Sequence, residues 1–235
     1  MKKAVWITAL LPLIITGVVL RFMPDKVPTH YDISGKIDGR GTKYVYLILP
    51  AAVIGITLLF GAISRSVRKK AAASGEEKKT AEAVSNAKVF DVISICTAVM
   101  TGVIQCFMLR SACIASSAGA DNMEEGSAGM MVMSALMGLM FIVIGNFLPK
   151  TKLNGAVGLR TSSSMYNDNT WRRSNSFAGK AFVITGLLTF VTSLFAPPIG
   201  SVVMMLVYLT ACTVVSCVYA KKVCDEERAA SISAE

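Results

Sequence analysis

The only histidine of the chain, His30, lies in a short polar segment that separates two long apolar runs. Asp32 and Asp38 follow it, so an imidazole and two carboxylates lie close together in the sequence. These groups could bind a cation or hydrogen-bond to a peptide. One histidine with two loop carboxylates is a weak pattern for a metal site, so we predict no metal and no cofactor. The structural alternative is that His30 pairs with a neighbouring carboxylate and fixes the loop.

Proline and glycine residues recur through the same segment, between Arg21 and Lys43. Proline restricts the backbone and glycine permits tight turns, so this pattern predicts a compact loop built from turns. If the loop binds a ligand, its candidate binding residues are Pro28, His30, Asp32, Gly35 and Asp38.

A second polar segment, residues 149–180, is rich in basic and amide side chains. Within it, Asn167–Ser176 is predicted to form a short helix that Asn167 or Asp168 caps. Trp171 would place its ring among the lipid headgroups, and the helix would anchor the segment to the membrane surface. The alternative is that Arg160, Trp171 and Asn175 form a docking surface for a cytoplasmic protein.

These two segments are positioned by apolar blocks that are long enough to cross a membrane. The chain is 53% hydrophobic and 17% charged, whereas soluble domains carry about 25% charged residues. An α-helix of about 20 apolar residues spans the hydrocarbon core of a bilayer. We therefore predict an all-α polytopic membrane protein with six transmembrane helices: Ala4–Leu20, Tyr44–Ile63, Val89–Leu109, Gly129–Leu148, Ala181–Phe195 and Gly200–Ala220.

The distribution of basic residues predicts the orientation of these helices. If the N-terminus is cytoplasmic, three quarters of the 24 lysine and arginine residues lie on the cytoplasmic side. Because cytoplasmic loops retain positive charge, we predict that both termini are cytoplasmic. The His30 segment then faces outward and the Arg160 segment faces the cytoplasm. The same bias accounts for most of the net charge of +9, so we predict no direct binding of nucleic acid.

Three regions follow from this arrangement. Residues 1–65 form an N-terminal two-helix module that carries the outer loop. Residues 66–88 form a cytoplasmic charged linker, which we predict to be a helical hairpin or a helix extension that contacts membrane lipids. Residues 89–235 form a four-helix region that carries the cytoplasmic loop 149–180.

Catalytic patterns are missing from the sequence. An intramembrane hydrolase needs polar groups at depth, such as a Ser–His pair or two aspartates. The one histidine lies in the outer loop, and Asp91 is the only acidic residue in a predicted span. We therefore predict that the protein is not an enzyme.

Transport is the alternative function. Transporters place ionisable groups near the middle of the membrane, often beside helices that proline or glycine interrupts. Here Pro12 and Pro50 lie within spans, and Gly138, Gly145 and Asn146 could shape a cavity. We keep a small-molecule or peptide transporter, or an envelope-stress membrane protein, as the alternative interpretation. The methionine-rich run from Gly129 to Met140 could pack against the apolar helix of a bound peptide or against neighbouring helices.

The loop 149–180 also resembles the signature of the SdpI (sporulation-delaying-protein immunity) family. That signature is an asparagine, a Gly-x-Arg-Thr sequence, a polar run, a tryptophan and a later Gly-Lys. The outer loop resembles a module of unknown function that is often found upstream, and Pro28, His30, Gly35 and Asp38 fit its spacing. The residues that match the SdpI signature are Asn154, Gly158, Arg160, Thr161, Trp171, Gly179 and Lys180. With Asn175, they are the candidate residues for docking a cytoplasmic partner.

The resemblance implies a bacterial multi-pass protein of the cell membrane that protects its producer against a secreted antimicrobial peptide. In the type member it also implies signalling, because a transcriptional repressor is held at the membrane when toxin is present. We therefore expect an immunity and signalling protein whose partners are a secreted toxin peptide and a cytoplasmic repressor.

Overall fold

The computed structural model describes residues 2–32, 37–118, 123–154 and 157–233, and most of these residues are helical. Two short 3-10 helices, Lys43–Leu47 and Leu148–Lys150, accompany the longer elements. In chain order the main elements are α1 Lys2–Val19, β1 Lys26–Tyr31, β2 Ile37–Thr42, α2 Ile48–Ala73, α3 Glu77–Ala118, α4 Met123–Phe147, α5 Asp168–Phe195 and α6 Pro198–Ile232.

The helices have the length and apolar character that membrane crossing requires. Five of them, α2 to α6, are long and apolar enough to span a bilayer, and α1 is a shorter apolar helix. Large apolar side chains such as Leu206, Val207 and Val218 are exposed along α6, which a soluble protein would avoid but lipid contact favours. The prediction of an all-α, multi-pass protein of the cell membrane is confirmed.

The six helices pack as two groups of three. Helices α1, α2 and α3 contact one another, as do α4, α5 and α6, and contacts between α3 and α4 join the groups. The contact between α4 and α5 is the most extensive. In the four-helix region proposed from the sequence, α3 thus packs mainly with the N-terminal helices.

Pairs of glycines explain the close approach of α4 and α5. Gly138 faces Gly186 and Gly145 faces Gly179, and a Cβ atom at Gly145 would lie 2.6 Å from the carbonyl oxygen of Gly179. Glycines spaced seven residues apart return to nearly the same helix face, so both pairs lie along one seam. The prediction of a cavity at Gly138, Gly145 and Asn146 was wrong. Backbone atoms of α5 occupy the space beside the two glycines, and Asn146 is exposed.

The charged linker is helical, as predicted. Helix α2 continues to Ala73, and α3 begins at Glu77. Gly75 lies in the turn with a φ of +69°, a conformation that glycine adopts without steric cost. The N-terminal part of α3 therefore runs well beyond the apolar block Val89–Leu109.

The outer loop is a two-stranded antiparallel hairpin rather than the turn-built loop that we expected. Lys26 pairs with Thr42 and Val27 with Gly41, and the register becomes irregular near His30. Val27 and Thr29 are β-branched and favour extended backbone. Across the ladder, a Cβ atom at Gly41 would lie 2.9 Å from the Thr29 methyl group, so the missing side chain lets the strands close.

The hairpin and the 149–167 segment lie at opposite ends of the helical bundle. Val27 of the hairpin packs in a cluster with Leu109 and Ala112 near the end of α3. Near the start of the same helix, Asn86 bonds to Lys152. At 1.5 Å per residue, these two positions on α3 are separated by about 35 Å. The placement of the two segments at opposite ends agrees with the topology predicted from the sequence. The assignment of one end to the cytoplasm stays a prediction.

Candidate functional site

The hairpin is fixed to the helical part of the chain by polar contacts, one of which is fully buried. The Tyr46 hydroxyl donates a hydrogen bond of 2.6 Å to the carbonyl oxygen of Pro28, and both groups are buried. Lys43 donates to the Met23 carbonyl at 3.0 Å and forms an ion pair of 3.2 Å with Asp25. Because a buried hydrogen bond is costly to leave unmade, the Tyr46–Pro28 bond holds the hairpin at one position over the helix ends.

A buried glutamine ties three elements together beneath the hairpin. Gln105 of α3 donates hydrogen bonds to the Thr16 hydroxyl of α1 at 2.9 Å and to the Tyr46 carbonyl at 2.8 Å. The Thr16 hydroxyl in turn donates to the Pro12 carbonyl at 2.7 Å. The amide nitrogen of Gln105 is satisfied in this way, whereas its buried Oε1 has no hydrogen-bond partner among the described residues. Because the two bonds join α1 and α3 to the segment below the hairpin, Gln105 has a structural role that sequence reasoning missed.

The polar residues of the hairpin form an exposed pair. Nδ1 of His30 lies 2.5 Å from Oδ1 of Asp38, with side-chain exposures of 71% and 46%. Asp32 is half-buried, and Gly35 lies outside the described residues. Across the described ranges, no group of three or more metal-ligating side chains comes together. The structural pairing of His30 with a carboxylate is thus observed, whereas ligand binding by these residues stays a prediction.

An apolar cavity of about 300 Å³ opens beside the hairpin, between α3 and α4. We call it the hairpin cavity. Its volume is at the lower end of the range for ligand pockets. It is bounded by the hairpin, by the outer end of α3 and by the methionine-rich start of α4, and its lining residues include Pro28, His30, Tyr46, Phe107, Met108, Met130 and Met133. Of the candidate outer residues, Pro28 and His30 therefore line a cavity.

At the other end of the bundle, Trp171 is buried rather than placed among lipid headgroups. Its side chain is 2% exposed, and its indole N–H donates to the Thr151 carbonyl at 3.0 Å. The short surface helix Asn167–Ser176 was also wrong, because α5 continues without a break to Phe195. Asn167 does cap it: its side chain accepts from the Thr170 N–H at 2.7 Å, and the Thr170 hydroxyl accepts from the Asn167 N–H at 2.9 Å. In the continuous helix α5, the Trp171 indole lies inside the protein and not at its surface.

Asn175 and Gly158 form the centre of the folded loop. The Asn175 side chain accepts a hydrogen bond from the Leu159 N–H at 2.7 Å and donates one to the Trp171 carbonyl at 3.1 Å. Gly158 has a φ of +127°, and a Cβ atom there would lie 2.7 Å from both the Trp171 ring and the Asn175 amide oxygen. Only glycine fits this position without a local rearrangement.

Asn154 and Asn86 hold the beginning of the same loop. The Asn154 side chain accepts from the Val157 N–H at 2.8 Å and donates to the Lys152 carbonyl at 2.6 Å. Asn86 of α3 is buried and accepts from the Lys152 N–H at 3.0 Å. Sequence reasoning missed Asn86, because its partner is 66 residues away and no local pattern marks the contact.

Thr161 closes the loop, while Arg160 points outward. The Thr161 N–H donates to the Ser164 hydroxyl at 2.9 Å, and the Ser164 N–H donates back to the Thr161 hydroxyl at 3.0 Å. Arg160 and Lys180 are exposed, and Arg160 forms no ion pair with any described residue. Trp171, Asn175 and Gly179 are all buried, so these three residues offer no exposed surface to a partner here, and docking at this loop stays a prediction. Trp171 and Asn175 instead shape the loop that presents Arg160, and Gly179 packs against Gly145 of α4.

Two family models match separate parts of the chain. Residues 150–220 match the SdpI/YfhL protein family, and residues 7–54 match a domain of unknown function, DUF1648. The first match covers the folded loop, α5 and much of α6, and the second covers most of α1, the hairpin and the start of α2. The resemblance of both regions, stated from their motifs, is confirmed.

A curated relative also matches part of the chain. The chain is 30% identical over 89 residues to "Immunity protein SdpI" of Bacillus subtilis (strain 168). This match covers 37% of the chain and 43% of the relative, so less than half of the relative's length is matched. No solved structure matches the chain.

Proposed function

Because residues 150–220 match the SdpI/YfhL family, we propose that this membrane protein protects its host cell by binding a secreted antimicrobial peptide in the hairpin cavity. The observation that carries the binding site is the cavity itself, an apolar space of about 300 Å³ at the hairpin end of α3 and α4. The name of the curated relative supports immunity as the purpose.

The lining of the hairpin cavity suits the apolar face of a membrane-active peptide. Met108, Met130 and Met133 are unbranched and polarizable, so they can adapt to side chains of different shapes. The exposed His30–Asp38 pair beside the cavity can hydrogen-bond to polar groups of the same peptide. An amphipathic peptide helix that inserts an apolar side chain into the cavity could not assemble with other copies of the peptide in the membrane.

We further propose that the Arg160 loop recruits a cytoplasmic repressor when the cavity is occupied. Arg160 is exposed and unpaired within the described part of the chain, and the loop beneath it is fixed by Trp171, Asn175 and Gly158. The two sites can be coupled only if occupancy favours one of two arrangements that also differ at this loop. Helix α3 is in contact with both ends, through Leu109 at the hairpin and Asn86 at the loop. The proposed function requires binding and no catalysis.

The experiment expresses the protein in a strain that is sensitive to a panel of membrane-active peptides. The test variant is Met133→Trp, which adds bulk at the cavity wall, and the control is Leu139→Trp, because both residues are exposed on α4 and only Met133 lines the cavity. Losing one buried contact of about 1.4 kcal/mol corresponds to a tenfold change in affinity. We therefore expect Met133→Trp to lower protection about tenfold against the cognate peptide, while Leu139→Trp leaves protection unchanged.

The same strain separates the two parts of the proposal. Arg160→Ala should keep full protection but abolish the peptide-dependent recruitment of a labelled cytoplasmic repressor to the membrane. Equal protection by Met133→Trp and Leu139→Trp would refute the cavity as the peptide site. Unchanged killing across the whole panel would refute the immunity function.

A further inference from the structure

A second cavity lies at the end of the bundle opposite the hairpin. It has a volume of about 230 Å³ and is enclosed by α1, α2 and α3. We call it the basic cavity, because Arg65 and Arg68 of α2 line it together with Asp91 of α3. Both arginines follow the apolar block Tyr44–Ile63, so the cavity lies where lipid headgroups meet the helices.

Two of the three charged groups of the basic cavity, Arg68 and Asp91, lack charged partners within the described residues. Nε of Arg68 is buried and makes no hydrogen bond. Neither Arg68 nor Asp91 forms an ion pair with another described residue, although both line one cavity. Arg65 donates a hydrogen bond of 3.3 Å from Nε to the Gly61 carbonyl, which leaves the end of its guanidinium group free to bind. A buried guanidinium donor without an acceptor is unfavourable, so a ligand that supplies one is stabilised here.

Hydroxyl groups and lipid-facing side chains define the chemistry further. Thr57, Ser64 and Ser94 line the cavity and are buried. Trp6 and Leu58 line it as well but are 39% and 49% exposed, so the cavity opens toward the lipid-facing surface. An anionic oxygen ligand with an attached acyl region would therefore reach the arginines directly from the bilayer.

We propose that the basic cavity binds the headgroup of a phospholipid. The phosphate diester accepts hydrogen bonds from Arg65 and Arg68, since guanidinium groups match phosphate geometry. Asp91 accepts a hydrogen bond from a donor on the same headgroup, which is the ammonium group of phosphatidylethanolamine or a glycerol hydroxyl of phosphatidylglycerol. A choline headgroup has no such donor, so phosphatidylcholine binds less tightly. This site is independent of the proposed immunity function.

The test measures lipid binding to the full chain by native mass spectrometry and by lipid-dependent thermal stability in detergent. The probes are phosphatidylethanolamine, phosphatidylglycerol and phosphatidylcholine with identical acyl chains, and inorganic phosphate. We expect at least fivefold tighter binding of the first two lipids than of phosphatidylcholine. Asp91→Asn should remove most of this preference, whereas Arg68→Gln should lower the binding affinity for all three lipids about tenfold.

Two further variants keep the result interpretable. Arg65 is exposed, so Arg65→Gln tests the phosphate contact without removing a buried side chain, and it should weaken binding severalfold. Arg21→Gln removes an exposed arginine at the hairpin end and should change nothing. Wild-type binding by both Arg68→Gln and Arg65→Gln would overturn the proposal. Full stabilisation by inorganic phosphate would overturn the lipid assignment in favour of a free phosphate site.

Discussion

Substituting Gly158 by alanine should detach the folded loop from α5. The backbone at this position has a φ of +127°, outside the regions that residues with a Cβ atom adopt. The added methyl group would also lie 2.7 Å from the Trp171 ring and from the Asn175 amide oxygen. The substitution therefore combines backbone strain with overpacking against two buried side chains.

The magnitude follows from these two effects. Backbone strain costs about 1–3 kcal/mol, and inserting a methyl group into a packed interior costs about 1–3 kcal/mol. Gly75 provides a matched control, because it also has a positive φ, of +69°, but nothing lies within 4 Å of its Cβ position. Gly75→Ala should cost only about 1 kcal/mol. We expect Gly158→Ala to lower the free energy of unfolding by about 3 kcal/mol more than Gly75→Ala.

The assay is reversible unfolding in mixed micelles, followed by the fluorescence of Trp171. The chain has two tryptophans, so a Trp6→Phe background leaves Trp171 as the only reporter. In Gly158→Ala the Trp171 emission should shift to longer wavelength before the helices unfold, since the indole loses its cover and its bond to Thr151. Equal destabilisation by the two glycine variants, with unchanged Trp171 emission, would refute the packing of the loop on α5.

Two other predictions test the helix packing and the topology. Gly145→Val should separate α4 from α5 and lower the unfolding free energy by roughly 3 kcal/mol, because the Cβ position of Gly145 lies 2.6 Å from a backbone oxygen. The control Gly55→Val should cost less than about 1 kcal/mol, because nothing lies within 4 Å of that Cβ position. Similar losses for the two variants in mixed-micelle unfolding would argue against the glycine seam. In a variant in which all six cysteines are replaced, a membrane-impermeant thiol reagent should label Lys26→Cys but spare Arg160→Cys in intact cells, and the reverse pattern would invert the predicted orientation.

The helices were predictable from the sequence because the bilayer imposes a local requirement. A block such as Val89–Leu109 has few structures available in hydrocarbon other than a helix, since every backbone polar group must be satisfied internally. The full extent of α3, Glu77–Ala118, was less visible, because its polar first turns depend on contacts with α2 and the loop rather than on hydrophobicity.

The loop around Trp171 shows why the rest could not be read from local sequence. A tryptophan among arginines is typical of a membrane surface, and here the same composition surrounds a buried indole. The Trp171 indole is buried because Gly158 has no side chain to occupy its space and because the Thr151 carbonyl accepts its hydrogen bond. Both contacts depend on tertiary packing, which the local sequence does not show. The glycine seam did carry a signal, because Gly138 and Gly145 repeat the spacing of Gly179 and Gly186. The interpretation of the first pair as a cavity was wrong, because equal spacing on two helices lets their backbones approach and fill that space.

The glycine seam has a mechanical consequence for the two ends of the molecule. At Gly138 and Gly145 the backbones of α4 and α5 are in direct contact, and beside this seam Phe141 of α4 and Phe182 of α5 pack edge to face. The two helices form a stiff double rod with Met130 and Met133 at one tip and Asn175 near the other. If a ligand displaces the methionine end, we therefore expect α4 and α5 to tilt as one body and to move Asn175 at the opposite end.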